Sequence, residues 1–111
     1  MAALTPLTYQ ILLALADGDR HGYGIIKEIE ARGGAASAPS TGALYLALQR
    51  METEGLVAEA PKRPARDDDD KRRRYYRLTR RGRELAEVES SRLEALVRTA
   101  REKKLLAEGS A

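Results

Sequence analysis

STGALYLALQRMETEGLVAEA, residues 40 to 60, decides how this 111-residue chain is read. Leu44, Leu48 and Met51 recur at i, i+4 and i+7, the spacing that lines one face of a helix. Ser40 or Thr41 can cap its start, because a hydroxyl there accepts from an otherwise orphaned backbone N–H. Gly55 is placed to end it. LVAEA, residues 56 to 60, follows at once as a short strand-like segment. The helix therefore has an apolar inner side and an outer side carrying Tyr45, Gln49 and Arg50. Two things then fix the fold: what precedes this helix, and what the strand pairs with.

Two shorter helices precede it. TPLTYQILLALADGD (residues 5–19) opens with Thr5 as a cap and Pro6 in the first turn, and repeats Leu7, Ile11 and Leu15 every four residues. GYGIIKEIEARGG (residues 22–34) buries Ile25, Ile26 and Ile29 and stops at Gly33–Gly34. After the strand, PKRPARDDDDKRR (residues 61–73) has no apolar residue beyond Ala65 and can bury nothing. RYYRLT (residues 74–79) alternates again, with Tyr76 and Leu78 on one face and Tyr75 and Arg77 on the other. Two short strands joined by a charged loop predict a β-hairpin. Thr79 can cap a last helix from about residue 80 to 107. Its apolar face holds Leu85, Val88, Leu93, Leu96, Val97 and Ala100.

Composition excludes much chemistry. There is no Cys and one His, which leaves neither a thiolate metal site nor an ordinary nucleophile or acid–base cluster. No catalytic or metal-ligating set is expected, and no cofactor. His21, ahead of Gly22-Tyr23-Gly24, is expected to be a cap or turn residue. No apolar run approaches the ~18 residues of a membrane span, and no export signal is present, so a cytoplasmic chain is expected. The aromatics are five tyrosines, so the core is expected to consist of Leu, Ile, Val and Ala. The formal net charge is only +3, but it is unevenly placed. Residues 61 to 83 hold 11 Lys/Arg against 4 Asp, while the remainder is acidic. A local basic patch on an acidic chain points to a site facing an anion; a solvated charged loop is the plainer reading.

Three helices, a hairpin and a long helix, mainly α with a small β element, describe a winged helix-turn-helix. In such a fold the third helix fits a major groove, where base edges carry a readable code. The hairpin reaches phosphates or a minor groove, and helix N-termini receive phosphate oxygens. The division predicted is a DNA-binding domain over residues 1–79 and a dimerisation helix over 80–108. A helix of that length, roughly 40 Å, exceeds what a three-helix core needs and wants a second copy; folding back on its own domain is the alternative.

LLALADGDRHGYGIIKEIE, STGALYLALQRMETEGLV and RRRYYRLTRRGRELA, in this order and spacing, resemble the PadR family of bacterial transcriptional regulators. The likeness covers residues 4 to 105 and is similar to the compact branch, with one C-terminal helix. The resemblance implies a homodimeric winged-helix repressor of inverted-repeat operators, often that of its own promoter, released by a small-molecule effector. It implies that Tyr45 points toward DNA; a partly buried packing role is the other reading. The DNA-binding candidates are Ser40, Thr41, Gly42, Tyr45, Gln49, Arg50 and Lys27, with Arg63, Lys71, Arg72, Arg73, Arg74 and Tyr75 from the wing. Two positions depart from the family pattern. Ala43 stands where a threonine is usual, and Leu46 where a polar or basic residue is common. Leu46 either touches a thymine methyl or is tolerated surface. Some relatives place a tryptophan in the dimer interface, and this chain has none. Any effector pocket would be lined by aliphatics and Tyr9. The Asp67–Asp70 block falls at the wing tip, where it lowers non-specific affinity or only keeps the loop soluble. The function class held against a regulator is a winged-helix protein–protein adaptor.

Overall fold

Hydroxyl groups start three of the helices. Thr5, Ser40 and Thr79 stand in extended backbone, and each side-chain oxygen accepts from the N–H three residues on. The computed structural model describes residues 4–33, 37–61 and 74–107. Their order is α1 (Pro6–Leu15), β1 (Arg20–His21), α2 (Gly22–Gly33), α3 (Thr41–Thr53), β2 (Val57–Glu59), β3 (Tyr75–Leu78) and α4 (Arg80–Glu102). Of the two candidate caps for α3, Ser40 takes the role, accepting from Ala43 N–H at 3.1 Å. His21 caps α2, its Nδ1 accepting from Gly24 N–H at 3.0 Å.

The sheet departs from the expected two-stranded hairpin. It has three antiparallel strands in the order β1-β3-β2. Val57 pairs with Leu78 and Glu59 with Tyr76, while on the other edge Arg20 pairs with Tyr76 and His21 with Tyr75. β1 is two residues long, too short to show an alternation, and its partner is more than 50 residues away. Pairing on both edges makes β3 central, so the base of the wing is anchored to the α1–α2 connection.

The core is built from Ile11, Leu12, Ala14 and Leu15 of α1, Ile25 and Ile29 of α2, and Leu44, Leu48 and Met51 of α3. Leu56, Val57 and Tyr76 close it. Tyr76, 2% exposed, corrects the expectation of a purely aliphatic core. Its burial follows from the central position of β3, whose inward face must be filled by a large side chain. Leu85 of α4 packs against this same core.

One carbonyl joins the halves. Gly55, at φ +78°, ends α3 in a left-handed turn in which Leu56 N–H bonds Met51 O. Leu56 O then receives Thr79 N–H at 3.1 Å and the Thr79 hydroxyl at 2.9 Å. Gly82, in the first turn of α4, lies directly over it. α4 ends at Glu102, not near residue 107 as expected. Lys104 turns left-handed at φ +62°, and Leu105 N–H closes onto Ala100 O. A left-handed lysine is unfavourable by comparison with glycine, so no residue type announces this stop.

Gly82 and Gly42 should respond differently to the same substitution. A Cβ on Gly82 would collide with Leu56 O and sit 2.9 Å from Leu78, whereas one on Gly42 would meet nothing within 4 Å. Gly82→Ala is expected to lose about 1–3 kcal/mol in urea denaturation, and Gly42→Ala none.

Candidate nucleic-acid interface

The outward face of α3 is formed by Thr41, Gly42, Ala43, Tyr45, Leu46, Gln49 and Arg50, all exposed, with Ser40 at its cap. The opposite side carries Leu44, Leu48 and Met51 into the core. The α3 stripe expected from the sequence is therefore the buried one, and the polar set expected to read DNA is the exposed one. Among the described residues, Gln49 and Arg50 spend no side-chain bond on a neighbour. The first turn of α3 also offers free backbone N–H groups beside Thr41 and Gly42, the arrangement that receives a phosphate.

Tyr45 combines the two readings of its role. Its phenol lies so close to Gly22 that a Cβ there would overlap the ring, while 43% of the residue stays exposed. Gly22 is therefore the contact that lets α3 approach the start of α2. The same corner holds an aromatic group. His21 stacks beside Tyr23 with ring centroids 6.4 Å apart and meets Tyr75 edge-on at 5.3 Å. Lys27 lies 5.2 Å over the Tyr23 ring and 3.6 Å from Glu30. The Tyr23 side chain, then Glu30, hold the Lys27 ammonium above its usual pKa. Lys27 is thus a cation already in company, on the same corner as the aromatics.

Arg74 does something the sequence did not indicate. It bonds Glu59 of β2 at 2.9 Å, approaches Glu52 of α3 at 3.9 Å, and lies 5.8 Å over the Tyr76 ring. The Glu59 carboxylate is the main cause that holds its guanidinium pKa above the usual value. One cation thus ties the C-terminal end of α3 to both strands at the base of the wing. Among the wing candidates, Arg63, Lys71, Arg72 and Arg73 lie outside the described residues, as does the Asp67–Asp70 block.

α4 divides into two parts. Up to Leu93 it packs on its own domain: Leu85 and Ala86 against the core, the Tyr9 hydroxyl 2.6 Å from the Ser90 hydroxyl, and Arg83 on Ala16 O at 2.8 Å. Beyond that point it projects, with Leu96 and Val97 exposed, as are Leu105 and Leu106 just past its end. Val88, 68% exposed, lies on the outer side of the packed part. Of the six dimerisation candidates, Leu85 is half-buried and packs against the core, Leu93 and Ala100 are half-buried outside it, and Val88, Leu96 and Val97 are exposed.

A cleft of about 220 Å³ opens between α1 and α4, lined by Leu4, Pro6, Tyr9, Gln10, Glu89, Arg92 and Leu93. Tyr9 and the aliphatics were expected in any pocket; the charged pair was not. Glu89, only 6% exposed, takes two bonds from Arg92, Nε to Oε1 at 2.9 Å and Nη2 to Oε2 at 2.6 Å. In sequence Glu89 is one more charge on a polar helix, and nothing distinguishes it. Among the described residues there is no metal-ligating cluster, and no helix is long and apolar enough to cross a membrane.

The chain matches the transcriptional regulator PadR-like family over residues 11–88. Among solved structures it is similar to a PadR family transcription regulator from Clostridium difficile, at 26% identity and a TM-score of 0.75, covering 88% of this chain and 97% of that one. A PadR-like regulator from Bacillus cereus is 25% identical, with a TM-score of 0.72 and coverage of 92% and 93%. BpsR of Bordetella bronchiseptica, whose DNA binding is regulated by 6-hydroxynicotinic acid, shares the fold at 24% identity and a TM-score of 0.65, covering 86% of this chain and 60% of that one. No curated protein matches the chain.

The Glu89–Arg92 pair has a pH signature. The Arg92 hydrogen bonds hold the Glu89 carboxyl below its ordinary pKa. A group depressed in the folded state contributes fully above its unfolded pKa, and the contribution is lost as pH falls through the folded one. Wild type should therefore resist urea better than Glu89→Gln at neutral pH. The gap should close on acidification below the usual carboxylate range.

Proposed function

The chain belongs to the PadR-like transcriptional regulators, and from that membership and the exposed face of α3 we propose that it is a homodimeric, sequence-specific DNA-binding repressor and not an enzyme. The observation that carries the proposal is the division of α3. One side is consumed by the core, while Ser40, Thr41, Gly42, Tyr45, Gln49 and Arg50 face outward beside a three-stranded wing base. An α-helix of this kind enters a major groove, where Gln pairs with adenine and Arg with guanine. Phosphates are met by the N-terminus of α3 and by the basic residues that flank the wing, Arg63, Lys71, Arg72 and Arg73, with Lys27 and Tyr75 at the adjoining corner. Arg74 acts mainly by holding α3 and the wing in one relative orientation.

The outer side of α4 supports the dimer. Val88, Leu93, Leu96, Val97 and Ala100 offer an apolar face that a second α4 can cover. A two-fold dimer places two α3 helices in successive major grooves, about 34–36 Å apart, and makes the operator an inverted repeat. Residues 1–79 then serve as the DNA-binding unit and residues 80–108, which contain α4, as the assembly segment, all in the cytoplasm. The cleft between α1 and α4 is where a small-molecule effector would act, since it touches both the DNA-binding core and the assembly helix. An effector bound more tightly in one helix arrangement shifts the half-site spacing toward that arrangement. The small-molecule control of BpsR, which has the same fold, supports this step.

Binding to the duplex upstream of its own gene, followed by fluorescence anisotropy across a salt series, tests the reading. Preferred binding over a scrambled duplex is expected, weakening steeply as counterions are released. Gln49→Ala and Arg50→Ala should each cost about 1–3 kcal/mol of that preference without loss of fold. Equal weak binding to both duplexes, or none at low salt, would count against a specific regulator.

A further inference from the structure

In helix-turn-helix docking the N-terminal residues of the recognition helix approach the base edges. Between Thr41 and Gln49, α3 carries no polar side chain except Tyr45. Leu44 and Leu48 are buried, so what faces outward there besides Tyr45 is Gly42, Ala43 and Leu46. Leu46 is 60% exposed and has no place in the core cluster. A single exposed leucine is ordinary on a protein surface; its position is what gives this one a consequence. Ala43 and Leu46 are three residues apart and therefore neighbours on the helix surface, and Gln49 and Arg50 follow Leu46 by three and four. One continuous stripe runs from apolar at the start of α3 to polar at its end.

The major groove offers one apolar feature, the C5-methyl group of thymine. A leucine set against any other edge buries donors and acceptors without a partner, which is costly. The stripe thus favours thymine and also disfavours its competitors. We propose that Leu46, with Ala43 beside it, reads thymine methyl groups in the operator. The half-site then carries T·A pairs under the first turns of α3, adjoined by an adenine for Gln49 or a guanine for Arg50. This rests on the DNA-binding reading above and adds the chemistry by which that face selects.

Uracil tests it, because it removes the methyl and leaves every pairing and groove hydrogen-bonding group in place. Duplexes are selected from a randomised library with the full-length protein, and the best is remade with deoxyuridine for thymidine in each half-site. Wild type is expected to bind the uracil duplex more weakly, by roughly fourfold for each methyl it loses. Leu46→Ala is expected to lose most of this discrimination, with an unchanged circular dichroism spectrum and melting temperature. Equal wild-type affinity for the two duplexes would overturn the Leu46 assignment and leave the DNA-binding reading standing. So would a methyl preference that survives undiminished in Leu46→Ala. Failure to enrich any duplex would overturn both.

Discussion

The backbone carbonyl of Leu56 is the point on which the arrangement depends. It follows the left-handed turn at Gly55 that ends α3, and it precedes β2. It receives the N–H and the hydroxyl of Thr79, where β3 gives way to α4, and Gly82 presses against it from above. The exit of α3, the entry of the wing and the start of α4 therefore share one acceptor. A side chain at position 82 would have to displace it. The angle between α3 and α4 is fixed here, over a few ångströms, and is reinforced by the packing of α4 on α1 and the core. Thr79 serves twice, as the cap of α4 through Gly82 N–H and as the tie to the α3 turn.

A second constraint works at the opposite end of α3. Gly22 leaves room for the Tyr45 ring, and β1 pairs with β3. Arg74 adds the third tie, between Glu52 at the end of α3 and Glu59 in β2. These fixings leave α3 free on one side only. Exposed ion pairs are each weak, but the Arg74 guanidinium reaches α3, β2 and the Tyr76 ring of β3 at once.

How much was legible depended on whether the cause was local. Caps at Thr5 and Thr79, the α3 stripe and the turn at Gly55 are written within a few residues of where they act, and each emerged from spacing alone. For α3 the sequence left Ser40 and Thr41 as alternatives, and only the geometry chose Ser40. β1 was invisible because two residues carry no periodicity and their partner lies far along the chain. Tyr76 was legible as one face of an alternating strand, but not as core: β3 is paired on both sides, and Tyr76 is buried. Leu85 shared a helix face with Leu93 and Leu96, and only the placement of α4 against α1 separated core from projecting surface. The Glu89–Arg92 pair gave no signal at all, since charges three residues apart on a helix are commonplace. The polar outer face of α3 was legible as chemistry, whereas its apolar start was legible only as a departure from a family pattern.

In the proposed complex two copies of α3 enter successive major grooves on one face of a duplex. Footprinting of the protein on its selected operator, with hydroxyl radicals for the backbone and dimethyl sulfate for guanine N7, tests it most directly. Two protected stretches related by the inverted repeat are predicted, with centres about 34–36 Å apart. A single protected stretch, or protection confined to the minor groove, would contradict it.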